Sequence, residues 1–150
     1  MEKQTYSYEE AFEKSLEYFK GDELAARVWV NKYAVKDSFG NIYEQSPEDM
    51  HWRLANEIAR VEAKYQNGVS AQQLFELFDH FKYIVPQGSP MTGIGNEFQI
   101  ASLSNCFVIG MDGAADSYGA IIRVDEEQVQ LMKRRGGVGH DLSHIRPKGS

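Results

Sequence analysis

Two short extended runs around a single helical stretch restrict the C-terminal third of this chain to very few folds. The first run is Cys106-Phe107-Val108-Ile109-Gly110, an apolar stretch read as a short buried strand. The second, less regular, covers His140 to Ile145. Between them Ser117 to about Arg135 reads as helix, with Ile121, Ile122, Val129, Leu131 and Met132 as its apolar residues. Gly119 and the acidic run Asp125-Glu126-Glu127 are points where that helix could break in two. Strand, helix, strand predicts one crossover unit of an α/β sheet. Two strands do not make a stable sheet by themselves. The segment therefore predicts a sheet only begun here, to be completed by a partner or by more of a longer protein.

The first eighty residues carry a different period. Ser7-Tyr8-Glu9-Glu10 fits a capping box, and Tyr8, Phe12, Leu16 and Phe19 recur at helical spacing before Gly21. A second helix is predicted from Asp22 to about Ala34, with Leu24, Val28 and Trp29 inward. Ser46-Pro47-Glu48-Asp49 starts a third: an N-cap, a proline at the first helical position, then acids in the positive first turn. Met50, Leu54, Ile58 or Ala59, Val61 and Tyr65 would form its apolar face, and Asn67-Gly68 its end. Ser70 with Gln73 makes another capping box ahead of Leu74, Leu77, Phe78 and Phe81.

At Tyr83 the texture changes. Residues 83–105 contain Pro86, Gly88, Pro90, Gly93 and Gly95 among small polar residues, and read as one long loop of the kind that carries function. The expected division is a helical domain over residues 1–85 and the start of an α/β domain over 86–150, an α+β fragment.

Charge and composition narrow the class. The 150 residues are 42% hydrophobic with a net charge of −6, which fits a globular chain and not a disordered one. Lys133, Arg134, Arg135, Arg146 and Lys148 outweigh Asp141 at the C-terminal end, so the acidity lies in the rest. An acidic body argues against DNA as a partner, and a short basic, glycine-rich end argues for local contact with an anion such as phosphate. No apolar run reaches the roughly 20 residues of a membrane helix, and the polar N-terminus is no signal peptide. One cysteine, Cys106, allows no internal disulfide; a free thiol fits a reducing, cytoplasmic compartment.

The local motifs leave alternatives open. Arg134-Arg135-Gly136-Gly137-Val138-Gly139 is either a ligand-cradling loop or a helix C-cap with solvated arginines; it lacks the Gly-Lys-Ser/Thr ending of a P-loop. Gly93-Ile94-Gly95 follows no strand and reads as a turn rather than a dinucleotide fingerprint. His140 and His144 stand four apart, but in an extended segment they are too far apart to chelate, so no metal is expected. Cys106 by itself is either inert packing or a reactive thiol.

In order along the chain stand Gly88-Ser89-Pro90-Met91, Leu103-Ser104-Asn105-Cys106-Phe107-Val108, Asp116-Ser117, Arg135-Gly136-Gly137-Val138-Gly139 and Ile145-Arg146-Pro147-Lys148-Gly149. This set resembles the large catalytic subunit of ribonucleotide reductase over roughly residues 22–150. Its closest likeness is to the adenosylcobalamin-dependent, class II branch, where a helical segment like Ala26-Arg27-Val28-Trp29-Val30-Asn31-Lys32-Tyr33-Ala34-Val35-Lys36-Asp37 lies near the start. The resemblance implies a helical N-terminal domain followed by the first strand-helix-strand portion of a ten-stranded α/β barrel.

It also implies roles. Cys106 matches a redox cysteine on the first barrel strand, one of a pair that reduces the ribose and becomes a disulfide. Ser89 matches a residue that holds the substrate phosphate, Asn105 falls at a substrate-contacting position, and Gly137 falls where a loop backbone meets the substrate. Asp116, with Asp112 as its rival, matches the acid that binds the ribose of an allosteric deoxynucleoside triphosphate. Ser117 would open the effector-contacting helix, and Arg146 would hold effector phosphate. That helix would form the dimer face in dimeric members.

The implied partners are a ribonucleotide substrate, the remainder of the catalytic chain, a second copy and a thioredoxin-like reductant. The implied cofactor is adenosylcobalamin, whose contacts fall mostly outside these residues. The thiyl-radical cysteine and the second redox cysteine cannot be here, because Cys106 has no companion. The chain alone is therefore expected to be inactive. Two other readings stand beside this one: a non-catalytic nucleotide-binding module, and a helical interaction protein in which the glycine loop is only a cap.

Overall fold

The computed structural model describes residues 4–110 and 116–150. The turn expected around Gly113 and the rival acid Asp112 lie outside the described residues. The chain divides into two compact units, residues 1–100 and 101–150.

The first unit is helical: α1 (Tyr8–Tyr18), α2 (Glu23–Lys32), α3 (Pro47–Glu62), α4 (Ala71–Phe78), a 3₁₀ turn (Asp79–Phe81) and α5 (Gly88–Gly93). Local chemistry sets most of the starts. Ser7 and Glu10 exchange hydrogen bonds of 3.2 and 2.8 Å at the head of α1, and Ser70 with Gln73 does the same for α4. Asp22 caps α2 through the amide of Ala25. Pro47 opens α3, but Ser46 makes no side-chain cap there. Asp49 instead turns its carboxylate back to the amide of Gln45 at 2.7 Å.

Packing departs from the sequence-level faces. Leu24 is 72% exposed and Val28 is exposed too; the buried face of α2 is Ala26, Trp29 and Val30. Small and β-branched residues let α2 lie close to its neighbours, and the Trp29 indole N–H donates to Met50 Sδ at 3.4 Å. On α3 the buried residues are Met50, His51, Leu54 and Ala55, whereas Val61 and Tyr65 face outward. Leu74 and Phe78 of α4 close the core against α3, while Leu77 is exposed. Burying side chains of this size stabilises by about 1.5–3 kcal/mol each.

A polar group lies inside this core. His51 is fully buried, with Nδ1 3.3 Å from the Tyr18 hydroxyl and Nε2 without a hydrogen-bond partner among the described residues. Tyr18 donates to Asp79 Oδ1 at 3.1 Å and accepts from the amide of His80 at 2.6 Å. That pull, with the ring of His80 stacked on Tyr18, accompanies the left-handed backbone of His80 and Phe81 at φ 52° and 54°. Burial pushes the His51 imidazole down to about 4 and raises the Tyr18 phenol above its ordinary value.

The glycine- and proline-rich stretch read as a loop holds α5, and the helical unit extends through it to Ile100, past the 85/86 division expected from texture. Met91, Ser89 and Thr92 are buried, which ties the segment to the helical core.

The second unit is β1 (Cys106–Ile109), α6 (Tyr118–Met132) and β2 (Gly137–His140), a parallel pair joined through a helix. Helix α6 is unbroken through Gly119 and the acidic run, and Ser117 caps it by accepting from the amide of Ala120 at 3.2 Å. Of its apolar residues Val124 is the buried one, while Ile122, Val129 and Met132 are exposed. The second strand is not His140–Ile145 but the glycine stretch itself, because only there can the backbone lie against Asn105 and Phe107. A Cβ on Gly136 would stand 2.6 Å from the Phe107 ring. Strand β1 is not buried either: Cys106 and Val108 are exposed, Phe107 and Ile109 half-buried. The observed architecture is thus a helical domain followed by a strand-helix-strand piece.

Candidate functional site

The sheet unit brings three of the expected residues together. Cys106 pairs with Gly137 at the head of the parallel ladder, and the Gly137 amide donates to the Asn105 carbonyl at 2.6 Å. The chain reaches this arrangement by a tight exit from α6. The amide of Gly136 donates to Leu131 O at 3.0 Å, and Arg135 takes the left-handed conformation at φ 68°. Gly136 then passes under the Phe107 ring, where no side chain fits. The glycine loop is therefore both a helix cap and a strand.

On each strand exposure alternates. Cys106 and Val108 share an exposed face with Gly137 and Gly139, while Phe107, Ile109, Val138 and His140 are half-buried. The thiol stands at the open side of a glycine-lined surface, where an approaching ligand meets backbone rather than side chains. Exposure leaves the thiol open to an approaching substrate or reagent.

Three more expected residues meet around the start of α6. Arg146 Nε bonds Asp116 Oδ2 at 2.7 Å, with 62% and 36% of the two side chains exposed. They border a cavity of about 620 Å³ with Ser117, Tyr118, Ile121 and Lys148. The hydroxyl of Ser117 is engaged in capping α6. A carboxylate, two cations and an apolar wall in one cavity suit a ligand with hydroxyls, phosphates and a flat ring. Tyr118 and Ile121 are given no ligand role by the sequence motifs; the signal was their place one and four residues after Ser117, while Lys148 lies in the Ile145–Gly149 motif two residues from Arg146.

Ser89 belongs to the helical unit, in the first turn of α5, where it is 3% exposed. The Thr92 hydroxyl donates to the Gly88 carbonyl at 3.0 Å in the same turn. Sequence reasoning missed what holds this turn. Arg53 of α3 donates through Nη2 to the Met91 carbonyl at 2.7 Å and through Nη1 to the Ile94 carbonyl. Its Nε bonds Glu44 Oε1 at 2.6 Å, and Glu44 Oε2 accepts from the Val35 amide at 2.9 Å. The only hint in the sequence was a cation beside Leu54 on the apolar side of α3. Gly95, at φ 70°, packs against Arg53, and a Cβ there would lie 2.9 Å from its Cγ.

Burial raises the Glu44 carboxyl above its ordinary value, and the Arg53 charge acts against that rise. Among the described residues no group of three or more His, Cys, Asp or Glu is placed to hold a metal, and no helix is long and apolar enough to cross a membrane.

Comparison with known families gives two matches in series. Residues 19–93 match the ribonucleotide reductase all-alpha domain, and residues 104–150 match the ribonucleotide reductase barrel domain. The two spans correspond to the two units of the structure, so the strand-helix-strand piece is the start of that barrel domain. No curated protein matches the chain.

Proposed function

The chain belongs to the ribonucleotide reductase large-subunit family, and from that premise we propose that it is the N-terminal part of a catalytic chain that reduces ribonucleoside diphosphates to deoxyribonucleotides. The observation that carries this reading is the exposed Cys106 thiol opposite Gly137 at the opening of the barrel. In the assembled enzyme a cysteine radical removes the ribose 3′ hydrogen atom. Cys106 and a second thiol then supply two electrons and two protons. The 2′ hydroxyl leaves as water, C2′ gains hydrogen, the thiols become a disulfide, and the radical cysteine returns its hydrogen atom to C3′ and is regenerated. A thioredoxin-like dithiol restores them by exchange. Asn105 and Gly137 would meet the substrate beside the thiol, and Ser89 its phosphate.

Cys106 is the chain's single cysteine, so these 150 residues do not turn over by themselves. The cavity at Asp116, Ser117 and Arg146 is read as the site of a deoxynucleoside triphosphate effector. The branch is read as class II. The segment most like that branch is buried through Ala26, Trp29 and Val30 in the helical core, so these residues form packing and not a corrin-binding face. Contacts to adenosylcobalamin would fall mostly in the remainder of the catalytic chain.

The test supplies the remainder of a barrel domain in trans, with a radical source and a dithiol. Ribonucleotide reduction that is lost in Cys106→Ser is the expected result. Activity unchanged by that substitution overturns the reading.

A second reading, a non-catalytic nucleotide-binding module, is favoured by the Asp116–Arg146 cavity. It predicts deoxynucleoside triphosphate binding with no dependence on Cys106 in any assay.

A further inference from the structure

The Glu44–Arg53 pair does more than fill the helical core. Arg53 leaves α3 with its side chain only 13% exposed and reaches the C-terminal end of α5. There it binds two main-chain carbonyls, Met91 and Ile94, which the six-residue helix cannot satisfy itself. A planar guanidinium spreads five donors over three nitrogens and so reaches two carbonyls and a carboxylate on different sides, whereas an ammonium has its three donors on one atom. Glu44, 6% exposed, holds the fork from the other side and is itself anchored on the Val35 amide. The linkage therefore runs from the residues after α2, through α3, to the short helix that carries Ser89.

Within α5 the Thr92 hydroxyl donates to the Gly88 carbonyl at 3.0 Å, and Pro90 has no N–H to give. A Cβ placed on Gly88 would stand 3.5 Å from the Tyr33 ring, so that ring borders the start of the helix.

We infer that Arg53, held by Glu44, is a positioning residue for the substrate-phosphate contact, fixing the Gly88–Gly93 helix so that Ser89 is presented in one orientation. This rests on the reading of Ser89 as a phosphate contact. Arg53 touches no substrate; it acts through the α5 carbonyls. Holding a binding group in one geometry lowers the ordering cost of ligand binding, so its loss raises KM more than it lowers kcat.

The experiment has two arms, with Arg53→Lys and Glu44→Gln beside Arg53→Met in case the last does not fold. In the chain as it stands, amide hydrogen exchange is followed at Met91, Gly93 and Ile94 and, as control, in α1 and α2. The expected result for Arg53→Lys is exchange at least about tenfold faster in the α5 segment with the control helices unchanged. Equal rates in α5 overturn the clamp. In the enzyme completed in trans, Arg53→Lys is expected to raise KM for the ribonucleotide about tenfold with kcat within about twofold.

Ser89→Ala separates the two ideas. If Ser89→Ala raises KM and Arg53→Lys does not, the positioning role fails while the phosphate contact stands. If Ser89→Ala leaves KM unchanged, the phosphate reading fails, and faster α5 exchange in Arg53→Lys still supports the clamp alone.

Discussion

Cys106 and Gly137 stand opposite each other in a parallel pair, and the Gly137 amide is bonded to the carbonyl of Asn105, the residue before the cysteine. The backbone of the glycine loop is thereby locked beside the thiol without any side chain between them.

Because Cys106 is exposed on the outer face of β1, it should alkylate readily in the native chain. The expected rate with a maleimide at neutral pH is within about threefold of that in the unfolded chain. Mass spectrometry under native and denaturing conditions measures both. Protection by more than a hundredfold would mean that the thiol is closed off and is not a working group.

Gly136 should tolerate no side chain. In Gly136→Ala the new Cβ would lie 2.6 and 2.8 Å from two atoms of the Phe107 ring and 3.1 Å from the Leu131 carbonyl. A rigid ring and a backbone atom cannot both give way, so a loss of about 1–3 kcal/mol is expected in the strand-helix-strand unit. Gly139→Ala is the control, since nothing lies within 4 Å of its Cβ position. Exchange protection of the Gly137 amide reports the difference.

Acid should destabilise the helical unit through His51. Burial holds its folded value at about 4 against an ordinary 6.5. The Asp79 charge opposes that shift, while His80 and Arg53 add to it. Between those values the unfolded chain binds a proton that the folded chain refuses, so stability is full above about 6.5 and falls as pH drops toward 4. The loss is of order 3 kcal/mol across that window. Urea midpoints at pH 7 and pH 4.5 measure it, and His51→Phe should flatten this part of the slope.

The Asp116–Arg146 pair is too exposed to contribute much to stability. Arg146→Ala is expected to change unfolding free energy by under about 1 kcal/mol. Deoxynucleoside triphosphate affinity should nevertheless fall by about tenfold or more, the equivalent of roughly 1.4 kcal/mol or above. Calorimetric titration of the chain and the variant decides this. Equal affinities would detach the cavity from nucleotide binding.

The local grammar of this chain was readable residue by residue. The capping boxes at Ser7 and Ser70, Pro47 at the start of α3 and Ser117 before α6 all depend on contacts within a few positions, and the strand at Cys106 showed as an apolar run. Where contacts come from far along the chain, sequence reasoning went astray. Period alone turns Leu24 inward, but the buried side of α2, which packs chiefly on α1, is Ala26, Trp29 and Val30. The α5 helix was hidden because Gly88, Pro90 and Gly93 read as loop; it is held by Arg53, whose partners lie 38 and 41 residues away.

The amino-acid order alone determined two things: a helical first domain, and a sheet opened by Cys106 with a glycine loop to follow. The helices follow from hydrogen bonds and side-chain periods that close within one or two turns, and the strand from an apolar run between polar segments. Only the tertiary structure decided that the glycine loop is itself the second strand, that Cys106 faces outward, and that an arginine on α3 holds the turn bearing Ser89. Strand partner, exposed face and clamp are each settled by groups far apart in the chain, and no window of sequence contains both halves of such a contact.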